Sequence, residues 1–315
     1  MSHPTSPLRA AASPPLARLR QVKKNYAKVE ALAGLDLDLH AGEVVALLGP
    51  NGAGKTTTIG LLTGLIGADS GEVELLGGRP GELAVRRRIG VMLQQTRLPD
   101  QLRVAELIGL FASYYPTPRS IEETLQLAGL SELAQRRYDA LSGGQQRRLQ
   151  FALAIVGRPD LLFVDEPTVG LDVEARRAFW KVLRGLKDEG CSLVLTTHYL
   201  EEADALADRI VVIDRGQVIA EGSPAQIKNR ARGRLVRCRS QLEPALLRSW
   251  PEVLELQLEQ GRLQLRTEQA ETVVRRLLNQ DPSLTELEVC ALGLEDAFLH
   301  LTQGDVHTQP QEQAA

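Results

Sequence analysis

The sequence has few cysteines and no excess of basic residues, the features that would indicate a disulfide-bonded, metal-binding or nucleic-acid-binding protein. Its three cysteines, Cys191, Cys238 and Cys290, lie far apart and form no CxxC or metal-ligand spacing. This indicates reduced thiols in a cytoplasmic protein and no structural metal. The 37 lysines and arginines do not outnumber the 40 aspartates and glutamates, so the formal net charge of −3 provides no basic field for nucleic acid. We therefore expect no nucleic-acid partner.

Long apolar segments are missing as well. No apolar run approaches the ~20 residues that span a bilayer, and the proline- and serine-rich start contains no apolar core of a signal peptide. We therefore expect the chain itself to stay outside the membrane. Prolines among serine and alanine predict a disordered tail over residues 1–15, and the glutamine-rich residues 304–315 predict another.

The composition does provide enough apolar residues for a substantial core. Of the 315 residues, 43% are hydrophobic and 24% are charged, which is typical of a soluble globular protein. This length accommodates one large domain with a small one, or two domains of ordinary size.

Residues 49–56 fill every fixed position of the GxxxxGK(S/T) phosphate-binding loop. They are, in order, Gly49, Pro50, Asn51, Gly52, Ala53, Gly54, Lys55 and Thr56. A strand-length apolar run precedes this phosphate loop, and residues 57–66 carry apolar side chains at helical spacing. Because glycines let the backbone point N–H groups at phosphate oxygens, we predict Lys55 on the β- and γ-phosphates and the Thr56 hydroxyl on Mg²⁺. This context disfavours the alternative, a glycine-rich turn that only joins a strand to a helix.

Two acidic residues follow a second apolar run. Residues 161–164 predict a strand buried on both faces, and Asp165 and Glu166 stand at its carboxyl end. Because open α/β sheets bind ligands at this edge, we predict that Asp165 holds Mg²⁺ through a water and that Glu166 orients or deprotonates the attacking water. The next predicted strand leads into His198, which can donate a hydrogen bond to a γ-phosphate. The alternatives are a solvated turn for the acids and a structural histidine.

The middle of the chain has helical periodicity. Residues 104–115, 120–128 and 131–137 are predicted helices separated by proline or glycine. A further predicted helix begins within the segment Leu141, Ser142, Gly143, Gly144 and Gln145, with Ser142 as its N-cap. We call these five residues the signature segment. By itself this segment indicates only a helix cap with a flexible pair of glycines.

Residues near the phosphate loop predict a second, smaller sheet. Alternation over residues 35–39, with a strand and turn at residues 72–78, indicates an antiparallel sheet that lies over the base. Tyr26 is placed where it could stack on adenine, although an isolated tyrosine is more often a core or surface aromatic.

In combination, the order of these motifs resembles the ATP-binding subunit of ABC transporters over about residues 16–225, and the complete Leu-Ser-Gly-Gly-Gln signature is specific to that family. The resemblance implies an α/β phosphate-loop ATPase with a RecA-like parallel sheet, an antiparallel β subdomain and an inserted helical subdomain at about residues 96–157. It also implies a head-to-tail homodimer with two ATP–Mg²⁺ at its interface. Each ATP would contact the phosphate loop, Thr57 and Asp165 of one subunit and the signature segment of the other.

The resemblance also implies roles for single residues. Gln94 would reach Mg²⁺ and the attacking water and face the transporter, with the neighbouring Gln95 as the alternative. Tyr26 would stack on adenine, and Asp172 would couple the two sites. The implied catalytic residues are Glu166, His198 and Gln94, and the implied Mg²⁺ ligands are Thr56, Gln94 and Asp165.

A finer resemblance is to the ATPases of ABC-2 type exporters, the drug-resistance and polysaccharide or lipid export group. Residues 167–172, 197–203 and 294–299 carry it. It implies a separately encoded polytopic permease and hence a cytoplasmic ATPase held peripherally at the inner face of the cell membrane. The alternatives are a soluble ABC ATPase that acts on ribosomes or DNA, and a regulatory module that binds nucleotide without hydrolysing it.

Beyond residue 225 only the pattern of side chains gives information. Residues 226–303 predict the order β-α-β-β-α-β, which indicates a small α+β accessory domain of the ferredoxin-like type. Basic residues cluster at its start: Lys228, Arg230, Arg232, Arg234, Arg237 and Arg239. They indicate either a solvated linker and strand face or a contact with anionic lipid.

Overall fold

The computed structural model describes residues 14–94, 98–230, 233–259 and 261–303. Most of the two predicted tails, Gln95 and Arg232 lie outside these residues. The chain forms two compact units, Met1–Ile219 and Ala220–Ala315, and the predicted boundary at residue 225 stays a prediction. Within the described ranges, every helix is too short or too polar to span a bilayer.

The first part of the chain combines one large sheet, one small sheet and their helices. In chain order, the elements are β1 (Ala17–Tyr26), β2 (Val29–Leu39), β3 (Val44–Leu48), α1 (Lys55–Leu62), β4 (Ser70–Leu75), α2 (Leu83–Arg86), β5 (Ile89–Met92), α3 (Val104–Ala112), α4 (Ile121–Leu127), α5 (Gly143–Ile155), β6 (Leu161–Asp165), α6 (Val173–Asp188), β7 (Ser192–Thr196), α7 (Leu200–Leu206), β8 (Arg209–Asp214) and β9 (Gln217–Gly222). Six strands form a sheet in the order β5-β6-β7-β3-β8-β9, and β2-β1-β4 form the smaller one, which confirms the predicted α/β fold.

The larger sheet has a parallel core. Strand β3 pairs in parallel with β7 and β8, and β6 pairs in parallel with β5 and β7. Every residue of β3, β6 and β7 is buried, as expected for apolar strands covered on both faces. Because these strands run in one direction, the carboxyl ends of β3, β5, β6 and β7 lie at the same edge. The segments that follow them therefore begin side by side.

The smaller sheet is antiparallel, as the alternation predicts. Its central strand β1 pairs with β2 and with β4. The apolar side chains of this sheet share a core with β3 and α1, and that core includes Leu19, Leu35, Leu47 and Ile59. The sheet is thereby fixed beside the helix that follows the phosphate loop.

The inserted helices agree with the sequence at three of four positions. Helices α3, α4 and α5 form where they are predicted, but the predicted helix over residues 131–137 is wrong, since only Ser131–Leu133 make a single 3₁₀ turn. The carbonyl oxygens of Ala134 and Arg136 accept instead from the N–H groups of Ala105 and Val104, at 2.9 and 3.0 Å. These carbonyls satisfy the free donors at the start of α3. Arg137 is extended and forms an isolated antiparallel bridge with Arg103, so the segment leaves the helical conformation there.

The second unit contains one four-stranded antiparallel sheet. Its order is β11-β12-β10-β13, and the elements alternate in the predicted sequence β-α-β-β-α-β before a final helix. One face packs on helices through Val236, Trp250, Leu265 and Leu277. In chain order, the elements are α8 (Pro224–Arg230), β10 (Arg234–Arg239), α9 (Pro244–Arg248), β11 (Glu255–Glu259), β12 (Arg262–Thr267), α10 (Ala270–Gln280), β13 (Thr285–Ala291) and α11 (Leu294–Gln303).

Part of the basic cluster in this unit is paired. Arg234 lies 3.3 Å from Glu271, and Arg239 lies 3.0 Å from Glu286. Exposed pairs of this kind stabilise a fold by at most about 1 kcal/mol, so they are compatible with a solvated strand face. The contact with anionic lipid stays a prediction.

The turn between β8 and β9 touches the phosphate loop. Arg215 and Gly216 have φ angles of 46° and 73°, as in a two-residue hairpin turn. The Gly216 N–H donates to the Ala53 carbonyl at 3.0 Å, and its carbonyl accepts from the Ala33 N–H at 3.1 Å. A Cβ at this position would lie 2.6 Å from the Leu32 Cα. The turn can therefore pack on β2, and so reach the loop, only because position 216 has no side chain.

We expect Gly216→Ala to lower the free energy of unfolding by roughly 2 kcal/mol or more, because it adds a backbone clash to the strain of a positive φ. Gly42→Ala is the matched control, since Gly42 has a φ of 75° but a Cβ there meets nothing within 4 Å. The control should lose only about 1 kcal/mol. Urea unfolding of both variants checks this, and equal losses would contradict it.

Candidate nucleotide site

The phosphate loop connects β3 directly to α1, and its glycines serve different purposes. At Gly49 a Cβ would lie 2.2 Å from the Ile213 carbonyl oxygen, so this glycine permits packing on β8. Gly54 precedes α1 with a φ of 109°, and a Cβ there would lie 2.7 Å from the Ala31 carbonyl oxygen. Gly52 has a φ of 82° with nothing within 4 Å of a Cβ. The loop is therefore packed at its two ends and open in its middle.

Lys55 begins α1 and turns back over the loop. Its Nζ donates to the carbonyl oxygens of Gly49 at 2.7 Å and Pro50 at 3.0 Å. Burial lowers the pKa of Lys55, and the negative charges of Glu166 and Asp165 oppose this shift. The ammonium group is thus held between the loop and the two acids.

The acidic residues at the end of β6 are anchored by the neighbouring strand β7. Asp165 is 3% exposed and accepts a hydrogen bond from the Thr196 hydroxyl. The Glu166 N–H donates to the Thr196 carbonyl at 3.1 Å. Glu166 has a φ of 51°, a strained conformation that is common at functional sites. Thr196 therefore fixes both acids, a role that no local sequence pattern indicates.

His198 lies against Glu166. Its Nδ1 contacts the Glu166 carboxylate, and its side chain is half exposed. The structure thus brings together two of the three side chains that the sequence predicts to be catalytic.

One cavity collects many of the predicted site residues. It has a volume of about 450 Å³. Its lining includes Tyr26, Thr56, Thr57, Gln94 and Asp165. Tyr26 is 46% exposed at its rim, as a stacking platform requires. We call this space the nucleotide cavity.

The signature segment and Asp172 do not line this cavity. Ser142 caps α5, since Ser142 N donates to Gln145 Oε1 at 3.0 Å and the Ser142 hydroxyl accepts from the Gln145 N–H. Ser142 and Gly143 are exposed. Asp172 caps α6 by accepting from the Ala175 N–H at 2.8 Å. Both helix starts are available to a partner.

Arg147 is a contributor that the sequence analysis missed. From α5 its guanidinium donates to the carbonyl oxygens of Leu93 at 2.6 Å, Gln94 at 3.1 Å and Glu166 at 2.8 Å, and it also bonds the Asp165 carbonyl. Burial lowers the pKa of Arg147, while the charges of Asp165 and Glu166 raise it. Its position in a helix far along the chain from these segments gives no sequence signal.

Comparisons with known proteins agree with this geometry. A family model described as ABC transporter matches residues 32–169. Over 93% of this chain and 94% of the relative, the chain is 38% identical to the Daunorubicin/doxorubicin resistance ATP-binding protein DrrA of Streptomyces peucetius. It is also 38% identical to the Nod factor export ATP-binding protein I of Ralstonia nicotianae, over 68% of this chain and 69% of that protein.

Solved structures give the same result for the first part of the chain. An ATP-binding subunit of an ABC transporter superposes with a TM-score of 0.63 at 27% identity, covering 68% of this chain and 92% of that one. A dimeric ATP-binding cassette in a post-hydrolysis state, bound to ADP and phosphate, has a TM-score of 0.61 at 27% identity. It covers 66% of this chain and 98% of that one.

We expect Thr196→Val to lower the free energy of unfolding by about 1.5–3 kcal/mol, because it removes a buried hydrogen bond to a carboxylate. Thr63→Val is the matched control, since the buried Thr63 hydroxyl donates to the neutral Ile59 carbonyl at 2.8 Å. The control should lose about 1 kcal/mol. Urea unfolding measures both, and a loss at Thr196 no larger than that at Thr63 would contradict the anchoring role.

Proposed function

The chain belongs to the ABC transporter family of ATP-binding proteins and is an ATPase of the cassette type, and on that premise we propose that it drives a separately encoded ABC-2 type export permease. The similarity to a drug-resistance ATP-binding protein over 93% of this chain supports the proposal best. That similarity extends over more of the chain than the 66–68% that the cassette structures cover. A soluble ABC ATPase acting on ribosomes or DNA is the alternative.

We propose roles in ATP hydrolysis for the groups around the nucleotide cavity. Lys55 binds the β- and γ-phosphates, Tyr26 stacks on adenine, and Glu166 orients or deprotonates the attacking water. His198 holds the Glu166 carboxylate and can donate to the γ-phosphate. The cavity lining supports the role of Tyr26, and the contact between Glu166 and His198 supports the roles of these two residues. The role of Lys55 is supported by the position of its ammonium group at the phosphate loop.

The chain also has a donor set that suits Mg²⁺. Thr56, Gln94 and Asp165 line one cavity and offer only oxygen atoms as ligands, which this cation prefers. When bound, Mg²⁺ would neutralise charge on the phosphates. We propose that these three residues hold it.

We further propose that two copies associate head to tail. The exposed start of α5 at Ser142 and Gly143 would then cap the ATP held by the other subunit, where a helix N-terminus favours the γ-phosphate. Asp172 would couple the two sites. The dimeric cassette among the similar structures supports this arrangement.

The permease would dock on the groove between the large sheet and the helices α3 to α5. A cavity of about 350 Å³ lies there, with a largely apolar lining that includes Met92, Leu93, Leu98, Phe111 and Tyr115. Docking at this site would hold the subunit at the inner face of the membrane.

Glu166→Gln should reduce ATP turnover by about 10²-fold or more while ATP still binds, because it removes the base and keeps the shape. The closed dimer should then accumulate with ATP. Steady-state hydrolysis and calorimetric ATP binding measure the two effects. Glu122→Gln, at an exposed position of α4, is the control. Turnover of Glu166→Gln within about threefold of wild type would remove Glu166 from the proposed role.

A mixture of two inactive chains should recover activity. Ser142→Arg places a bulky cation at the proposed interface, and Lys55→Ala removes the charge on the phosphates. A purified heterodimer of the two variants keeps one phosphate loop and one signature segment intact, so one composite site should work. If the heterodimer forms but hydrolyses no ATP, the head-to-tail arrangement is wrong.

Arg103→Glu should weaken copurification with a polytopic membrane protein and leave basal ATP hydrolysis intact. Arg103 is exposed just before α3, where its Nη1 donates to Gln135 at 2.8 Å. Lys181→Glu, at an exposed position of α6, is the control. The measurement is capture from detergent extracts with each variant. If wild-type protein captures ribosomes or DNA-processing proteins and no membrane protein, the transport proposal fails although the ATPase activity stands.

A further inference from the structure

The Arg147 guanidinium lies between two segments that follow neighbouring strands. Its Nη1 donates to the carbonyl oxygens of Leu93 at 2.6 Å and Gln94 at 3.1 Å, just beyond β5. Its Nη2 bonds the Asp165 carbonyl and donates to the Glu166 carbonyl at 2.8 Å, at the end of β6. One side chain of α5 thus joins the backbone of both segments.

The planar shape of the guanidinium suits this arrangement. Strands β5 and β6 are paired in parallel, so the segments that follow them leave the sheet at the same edge, within reach of one side chain. A guanidinium has a rigid fork of donors that can reach several carbonyl oxygens at once, whereas a lysine ammonium is a compact point charge. Gln150, one turn further along α5, accepts from Arg147 Nη1 at 2.9 Å and fixes the side chain from its own helix.

The bonded segments carry groups on which the proposed function depends. Gln94 is a proposed Mg²⁺ ligand, and Glu166 is the proposed base. A displacement of such groups by about 1 Å can cost roughly 10²-fold in rate. The spacing between these two backbones is therefore a quantity that the chain must control.

We propose that Arg147 is a positioning residue, which holds Gln94 and Glu166 of its own subunit at the spacing that ATP hydrolysis requires. The proposal rests on the proposed function for the roles of Gln94 and Glu166. It assigns to α5 two separate tasks. Its exposed start serves the ATP of the other subunit, and Arg147, one turn later, serves the site of its own subunit.

The first test separates kcat from KM. Arg147→Lys keeps the charge but not the fork, and Arg147→Met removes both. Each should lower kcat by about tenfold or more and leave the KM for ATP within about threefold, because the phosphate loop is untouched. Arg158→Lys is the control, since Arg158 is exposed beyond the end of α5 and pairs with Glu123 at 2.8 Å. A kcat within threefold of wild type, or a raised KM with unchanged kcat, would overturn the proposal.

Thermal unfolding of each variant accompanies these assays. If Arg147→Met unfolds below the assay temperature, Arg147→Lys alone decides between the outcomes above.

The second test determines which site Arg147 serves. In a heterodimer of Arg147→Met with Lys55→Ala, the remaining phosphate loop belongs to the chain that lacks Arg147, so we expect hydrolysis about tenfold or more slower than in the Lys55→Ala and Ser142→Arg pair. In a heterodimer of Arg147→Met with Ser142→Arg, the working loop belongs to a chain that keeps Arg147. This pair should hydrolyse ATP at the rate of the Lys55→Ala and Ser142→Arg pair. The opposite result, or equal activity or inactivity of both Arg147 heterodimers, would overturn the proposal.

The reference pair also separates the two proposals. If Lys55→Ala and Ser142→Arg chains recover no activity together, the head-to-tail arrangement fails. The kcat and KM of the Arg147→Lys homodimer then decide the positioning role on their own.

Discussion

The parallel direction of four strands is the constraint on which the site depends. Strands β3, β5, β6 and β7 end at one edge of the sheet, and each is followed there by a segment that carries predicted site residues. These segments contain Lys55, Gln94, the pair Asp165 and Glu166, and His198. Residues more than 140 positions apart in sequence, such as Lys55 and His198, are thus brought to one region by strand direction and pairing order alone.

Acidic side chains lie at the same edge, and neighbouring hydrogen-bond donors and cations offset their negative charge. The carboxylate of Asp165 is buried, which is unfavourable without partners. The Thr196 hydroxyl supplies a hydrogen bond, and the cations of Lys55 and Arg147 lie close enough for their pKa values to respond to the acids. Two acids beside two cations also form an arrangement that suits a cavity for a phosphate chain and its metal.

The sequence predicts the parts of this site that depend on local chemistry. The glycines of the phosphate loop, the apolar runs of β3 and β6, and the Ser142 cap are each recognisable within about ten residues. It predicts the hairpin turn that contains Gly216, but it does not predict the contacts of Gly216, Arg147 or Thr196, because each acts on a segment distant in the chain. The helix predicted over residues 131–137 fails for the same reason, since residues 134–137 pair with the chain around the start of α3. Local pattern therefore specifies the elements, and long-range hydrogen bonds decide how their ends are used.

Helix α5 shows why a single chain is an incomplete catalyst under the proposed function. Its first residues, Ser142 and Gly143, are exposed and do not line the nucleotide cavity of their own chain, while Arg147 bonds the backbone of Gln94 and Asp165, which do line it. A helix of 13 residues is a rigid element, so a shift at its start is carried to Arg147. Binding of the partner's ATP at Ser142 and positioning of Gln94 and Glu166 would then be mechanically linked. Under the proposed arrangement one helix would contact both sites, so this linkage would require no new contact between the two nucleotides.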